Sequence, residues 1–145
     1  MNTDDIHVYY NRGREQARLT NANGKLELAR TQEIILRYLP TPPATIMDIG
    51  GGAGVYALWL AQMGYAVHLL DMMPLHIEQA VQASAAQPDY PLASARVGDA
   101  LQVDFADASA DAVLLLGPLY HLPERDQRIQ ALREAYRILK PSGLL

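Results

Sequence analysis

Asp48-Ile49-Gly50-Gly51-Gly52-Ala53-Gly54 is the stretch most able to do chemistry. An acidic residue sits near the end of an apolar run, Thr45 to Ile49, that suits a buried strand. Three alternating glycines follow, so the backbone can turn tightly and approach a ligand with no Cβ in the way. Val55 to Gly64 then reads as a helix ended by its glycine. Strand, glycine loop and helix N-terminus together predict a nucleotide-binding corner. A plain tight turn between strand and helix is the alternative. Asp71 lies 23 residues after Asp48 and ends a second apolar run from Tyr65 to Leu70. A carboxylate at the tip of a neighbouring parallel strand can accept both hydroxyls of a ribose in bidentate fashion, or it can cap the helix that opens at Pro74.

Two ligands compete for this corner. Gly52-Ala53-Gly54-Val55-Tyr56-Ala57 fits the dinucleotide pattern G-x-G-x-x-A. That fit places Asp48 close to a pyrophosphate, where like charges repel. S-adenosylmethionine has no phosphate and carries a cationic amino group and a sulfonium, and Asp48 suits it. With the nicotinamide alternative thus disfavoured, the first expectation is a sulfonium nucleoside.

The elements that must position these residues follow a simple alternation. Leu28, Ile35, Leu36 and Leu39 recur at helical spacing between Leu26 and Leu39, after a turn at Asn23-Gly24. Glu33 and Arg37 form an i,i+4 pair there. Arg30 on this helix is either a partner for a ligand carboxylate or a surface charge. Pro40 to Pro43 end the helix. A helix from Pro74 to Ala86, a strand from Leu92 to Val97 and Gly98-Asp99-Ala100 follow the second strand. Asp99 on spacing alone is as much a turn residue or helix cap as a ligand contact. Ala112 to Leu116 is the most apolar strand. It runs into Gly117-Pro118-Leu119-Tyr120-His121-Leu122. A helix from Pro123 to Lys140 has Ile129, Leu132, Tyr136 and Leu139 on one face and a Glu124–Arg128 pair on the other. Lys140-Pro141-Ser142-Gly143 reads as a turn, and Leu144-Leu145 would open a fifth strand, which predicts a fragment of a longer protein.

Strand and helix in repeated alternation predict an α/β fold, a doubly wound parallel sheet with strands 1–4 present and the chain ending at the start of strand 5. An N-terminal helical cap segment would occupy residues 1–40 and a nucleoside-binding core residues 41–145. Tyr9-Tyr10 and the charges at Arg12, Arg14, Glu15 and Arg18 make the first residues either a solvated lead-in or a cap over the ligand, with Tyr10 then facing a substrate. Ligands in such sheets bind at the carboxyl ends of the strands, where Asp48, Gly50, Asp71, Asp99 and Gly117 all fall.

Composition narrows the partners. The 145 residues are half hydrophobic and carry a formal net charge of −4, which argues against a broad phosphate-backbone surface. There is no cysteine, hence no disulfide or thiolate chemistry, in keeping with a cytoplasmic protein. Without cysteine or a His-x-x-x-His or His/Asp cluster, no metal site is expected. His7, His68 and His76 have no constellation around them. No signal-peptide pattern and no apolar stretch of membrane-spanning length is present.

Asp48-x-Gly50-x-Gly52-x-Gly54 resembles motif I of the class I S-adenosylmethionine-dependent methyltransferases, which have a Rossmann-like fold. Asp71, Gly98-Asp99-Ala100, Leu116-Gly117-Pro118 and Leu139-Lys140-Pro141-x-Gly143 extend the likeness over residues 45 to 145. The resemblance implies a seven-stranded sheet in the order 3-2-1-4-5-7-6, of which this chain would supply strands 1 to 4 and the beginning of 5. It implies S-adenosyl-L-methionine as cofactor, S-adenosyl-L-homocysteine as product, and a cofactor site of Arg30, Asp48, Gly50, Gly51, Gly52, Gly54, Asp71, Met72, Asp99, Ala100, Leu116 and Gly117. Asp99-Ala100 would bind the adenine amino group. Glu27 to Thr31 and Gly117 to Leu122 look like a small-molecule subgroup with a lid-like N-terminal helix. Amino-methylating nucleic-acid and glutamine enzymes carry Asn/Asp-Pro-Pro-Tyr where Gly117-Pro118-Leu119-Tyr120 stands here, so adenine-N6 or glutamine methylation is not expected.

Methyl transfer is an in-line displacement in which alignment supplies most of the effect, and a base is needed only for a protonated nucleophile. His121 is the candidate base and, with Tyr10 and Tyr120, a candidate substrate contact; the alternatives are that His121 hydrogen-bonds the next helix or faces solvent, and that Tyr120 packs in the core. The expectation is a methyltransferase of a small-molecule acceptor, with a homo-oligomer as an option and a nicotinamide oxidoreductase or a non-catalytic binding module as the competing functions.

Overall fold

The computed structural model describes residues 22–145. The chain divides between Leu39 and Pro40 into two compact units. The first holds helix α1, Ala22–Tyr38. The Asn23-Gly24 turn expected from sequence is part of this helix instead. Glycine in a helix costs about 1 kcal/mol relative to alanine, which the following turns of good helix formers can offset. Glu33 joins Arg37 at 3.0 Å and also pairs with Arg30. The last helical bond, Leu39 N–H to Ile35 C=O, precedes Pro40, which has no N–H to continue the ladder.

The second unit is one sheet with its crossover helices. Its elements are β1 (Thr45–Ile49), α2 (Val55–Gln62), β2 (Ala66–Asp71), α3 (Pro74–Ala85), β3 (Ser94–Val97), β4 (Ala110–Leu114), a 3-10 turn (Pro118–Tyr120), α4 (Arg125–Ile138) and β5 (Leu139–Leu144). The five strands lie in the order β3-β2-β1-β4-β5, all parallel. This is the doubly wound α/β sheet expected. Order reverses between β1 and β4, so the crevice for a ligand opens at the carboxyl ends of those two strands and their neighbours. β1 is central and buried over Ile46 to Ile49 because helices cover both faces. Ile46, Met47, Ile49, Leu60, Val67, Leu69, Val113 and Ile138 are almost wholly removed from solvent.

Four local expectations change. β4 begins at Ala110, two residues before the apolar run, so Leu115 and Leu116 lie beyond it. Lys140–Gly143 bulges inside β5: Leu139 pairs with Ala110 and Leu144 with Ala112, leaving the intervening residues no ladder partners, and Ser142 takes φ 66°. The buried face of α4 is Ala131, Ala135 and Ile138, whereas Tyr136 is 79% exposed. Small side chains let the helix lie close to the sheet, which displaces the larger residues to its flanks. Arg128 does not pair with Glu124 but donates to the carbonyls of Leu122 and Pro123, fixing the approach to α4. Arg137 ties α4 to the loop before β4: it donates to the carbonyls of Val103 and Phe105 and pairs with Glu134 and Asp107.

Candidate functional site

The glycine loop is closed by its own backbone and by β2. Gly50 N–H donates to Leu70 C=O at 2.6 Å, and Gly54 N–H to Gly51 C=O at 3.0 Å. Gly50, Gly52 and Gly54 have φ of 70°, 59° and 83°, a region side chains rarely adopt. Gly51 is needed for a different reason: a Cβ there would overlap the Asp48 carboxylate and Leu69. A Cβ at Gly50 would overlap Pro118, so the loop after β4 packs directly on the loop after β1.

Asp48 lies beneath this loop, 1% exposed, and its Oδ2 has no hydrogen-bond partner. Burial, then the charge of Asp71, push its carboxyl up from 3.8 to about 7, against the pull of the Ala57 backbone N–H. A buried carboxylate oxygen left unpaired is costly, so it calls for a cation or donor from outside the chain.

Asp71 is satisfied from three directions. Its Oδ2 accepts Gly52 N–H at 2.8 Å, and its Oδ1 accepts Met73 N–H at 2.9 Å. Its third partner is His76, whose Nδ1 lies 3.0 Å from Oδ1. The sequence alternatives for Asp71 are therefore not exclusive: it closes the turn into α3 and also faces the glycine loop. The structure corrects the expectation that His76 stands alone. Pro74 opens α3, so His76 falls in its first turn, and side chains there lean back toward the helix N-terminus and the strand tip. The spacing Asp71-x-x-Pro74-x-His76 carried that signal.

Of the remaining expected residues, Met72, Asp99, Ala100, Leu116 and Gly117 lie at the same sheet edge. Met72 follows Asp71 at the tip of β2. Gly98 N–H donates to the Asp71 carbonyl at 3.0 Å, which brings Asp99 and Ala100 beside it. Asp99 is exposed, with Oδ1 holding Leu101 N–H at 2.9 Å. Leu116 and Gly117 follow β4, and a Cβ at Gly117 would press on the Gly50 carbonyl. Tyr120 is 84% exposed, which excludes the core packing weighed for it; His121, half-buried, closes the 3-10 turn with its N–H on the Pro118 carbonyl at 3.0 Å. Arg30 belongs to the first unit and is exposed, paired with Glu33. Tyr10 lies outside the described residues. Among the described residues, no group of three or more His, Asp or Glu side chains could hold a metal ion, and no helix is long and apolar enough to cross a membrane.

A family model described as a methyltransferase domain matches residues 47–145. The chain belongs to the class I S-adenosylmethionine-dependent methyltransferase family. It is 31% identical over 101 residues to methyltransferase GfsG of Streptomyces halstedii, covering 69% of this chain and 35% of that protein. It is 31% identical over 104 residues to the ubiquinone/menaquinone biosynthesis C-methyltransferase UbiE of Nitrobacter hamburgensis, covering 70% of this chain and 40% of that one. The crystal structure of a SAM-dependent methyltransferase from Methanosarcina mazei is similar at 31% identity and a TM-score of 0.65, over 74% of this chain and 52% of that one. The chain thus spans from 35% to 52% of the length of these methyltransferases. Membership implies S-adenosylmethionine as methyl donor. The residues present fit it on one observation: the buried, unpartnered Asp48 Oδ2 matches a cationic ligand group and would repel a pyrophosphate.

Proposed function

We propose that this chain binds S-adenosyl-L-methionine across the carboxyl ends of β1 to β4, and that the protein methylates a small-molecule acceptor. The observation that carries the reading is Asp48 Oδ2, buried and unpaired under a glycine loop whose rim holds a second carboxylate, Asp71. In this reading Asp48 meets the ligand amino group, and Gly50, Gly51, Gly52 and Gly54 admit the ligand to the backbone. Asp71, with Met72 beside it, holds the ribose. Asp99 and Ala100 hold the adenine edge, and Leu116 and Gly117 wall the methionine portion.

The bound cofactor supplies a methyl group already activated by its sulfonium. The chain contributes alignment and exclusion of water. Tyr120 is available to an acceptor because it is exposed at the site edge. His121 takes the acceptor's proton on its imidazole when the nucleophile begins protonated. A small acceptor is supported by the net charge of −4 and by the UbiE relative, which is named for ubiquinone/menaquinone biosynthesis. The lack of cysteine supports a reducing, cytoplasmic setting.

Calorimetric titration of the full-length protein with S-adenosylhomocysteine and with NADH tests the reading, with Asp71→Ala as control. Saturable binding of the first, lost in Asp71→Ala, supports it and justifies an acceptor screen with labelled methyl donor. Binding of NADH alone sinks it.

A further inference from the structure

β3 ends at Val97 and β4 begins at Ala110, and residues 98–109 cross from one to the other without a helix. Parallel strands are ordinarily joined through a helix, which satisfies its own backbone. A loop in that place leaves N–H and C=O groups that need partners from elsewhere. One face of α4 supplies them. Gln130 Nε2 donates to Leu101 C=O at 3.3 Å, and Glu134 Oε2 accepts Val103 N–H at 2.8 Å. Arg137 spreads its fork over Val103 C=O at 2.7 Å and Phe105 C=O at 2.8 Å. Glu134 and Arg137 also bond to each other, which holds the Glu134 carboxyl below its usual range and keeps it an acceptor at neutral pH. From the sheet side the loop is held by Val103, buried in the core, and by Phe105, whose ring meets His68 edge to face at 5.0 Å with Arg96 over it at 5.4 Å.

The gripped positions adjoin one turn. Asp99 C=O accepts Gln102 N–H at 3.1 Å, and Asp99 Oδ1 accepts Leu101 N–H at 2.9 Å. Leu101 and Gln102 thus close back on Asp99, and α4 holds Leu101 and Val103 on either side of that closure. Asp99 is exposed, so its orientation depends on the turn.

We propose that Gln130 and Arg137, with Glu134 bracing Arg137, are positioning residues that fix the crossover loop in the shape by which Asp99 and Ala100 tell one nucleobase from another. This rests on the adenine-edge reading above. A rigid turn rewards only the base whose donors and acceptors match it, whereas a loosened turn adjusts to a mismatched base and discriminates less.

Calorimetry of the full-length protein tests this with S-adenosylhomocysteine and S-inosylhomocysteine, which carries an oxygen acceptor where Asp99 calls for an amino donor. The native protein should prefer the first by about tenfold or more. In Arg137→Ala the preference should drop to about threefold or less, and in Gln130→Ala it should shrink by about twofold or more. Arg133→Ala, an exposed neighbour on α4, should keep the native ratio. General loss of stability weakens both ligands alike and leaves the ratio where it was. Backbone hydrogen exchange supplies a second readout: in Arg137→Ala faster exchange should be confined to residues 99–107, with β1 and β2 as protected as in the native protein.

An unchanged ratio in a folded Arg137→Ala overturns the proposal, and so does faster exchange spread over the whole sheet. Should Arg137→Ala fail to fold, the ratio in Gln130→Ala decides. A native protein that binds both ligands equally overturns the adenine-edge reading and the proposal with it. One that binds neither overturns the functional reading, so each failure is distinct from failure of the proposal alone.

Discussion

Asp111 and Asp48 sit at opposite ends of neighbouring central strands, and the chain treats them in opposite ways. At the amino end, Asp111 Oδ2 accepts Thr45 N–H and Oδ1 accepts Lys140 Nζ, both at 2.8 Å. Those hydrogen bonds, Lys140 first, hold its carboxyl below the usual range. At the carboxyl end, Asp48 is deeper, lacks a partner on Oδ2 and is pushed up to about 7. One carboxylate stitches strands together with partners from its own chain. The other is kept short of partners at a net loss of stability, which a fold would not retain for packing alone. The difference separates an acid that serves architecture from one that, in the function proposed here, meets a ligand.

The contrast breaks most severely at Gly51. Gly51→Ala drives a methyl group into the Asp48 carboxylate and Leu69, neither of which has room to yield. Binding of S-adenosylhomocysteine should fall by more than about a hundredfold, read by calorimetry, with a lowered melting temperature.

Asp48→Asn sharpens it. Because the folded-state value is raised above the unfolded one, the native fold binds more protons between about pH 4 and 7, and stability drains as pH rises through that window. Asparagine has no such slope. The variant should melt higher than the native protein above pH 7, the gap closing toward pH 4, while binding weakens by about tenfold or more. A variant less stable than native at pH 8 would refute the reading of Asp48.

Asp111→Asn should do the reverse. A depressed folded value stabilises above the unfolded carboxylate range and is lost as pH falls through the folded value. The side chain is partly exposed, so the loss at neutral pH should be about 1 kcal/mol, measured by denaturant titration, with ligand affinity unchanged. The smallest effect falls on Tyr120→Ala: stability within about 0.5 kcal/mol of native and unaltered cofactor affinity, with any change confined to KM for the acceptor.

Much of this architecture was legible because its signals are local. Thr45 to Ile49, the glycines and the acid-terminated run to Asp71 fix strands, turns and the ligand edge within short windows of sequence. What was missed depends on contacts between distant or differently curved segments. Periodicity groups the large residues of α4 on one face, but helix-to-sheet distance selects Ala131 and Ala135 for burial. Asn23-Gly24 has turn chemistry that the rest of α1 overrides. The proline and glycine of β5 mark a bulge within a strand, because Leu139 already pairs before them. At the site, the strand-end residues could be placed on one edge from sequence, but the unmet valence of Asp48 Oδ2 could not, since it is a property of everything packed around it.

The hydrogen bonds from Gly50, Gly52 and Gly98 to the tip of β2 have a thermodynamic consequence. Two loops are thereby fastened to a strand end. Little conformational entropy is left to lose on association, so more of the contact enthalpy can appear as affinity. In the function proposed here, arrival of the nucleoside at this rim should accordingly follow simple one-step kinetics, because the floor is preorganised before encounter.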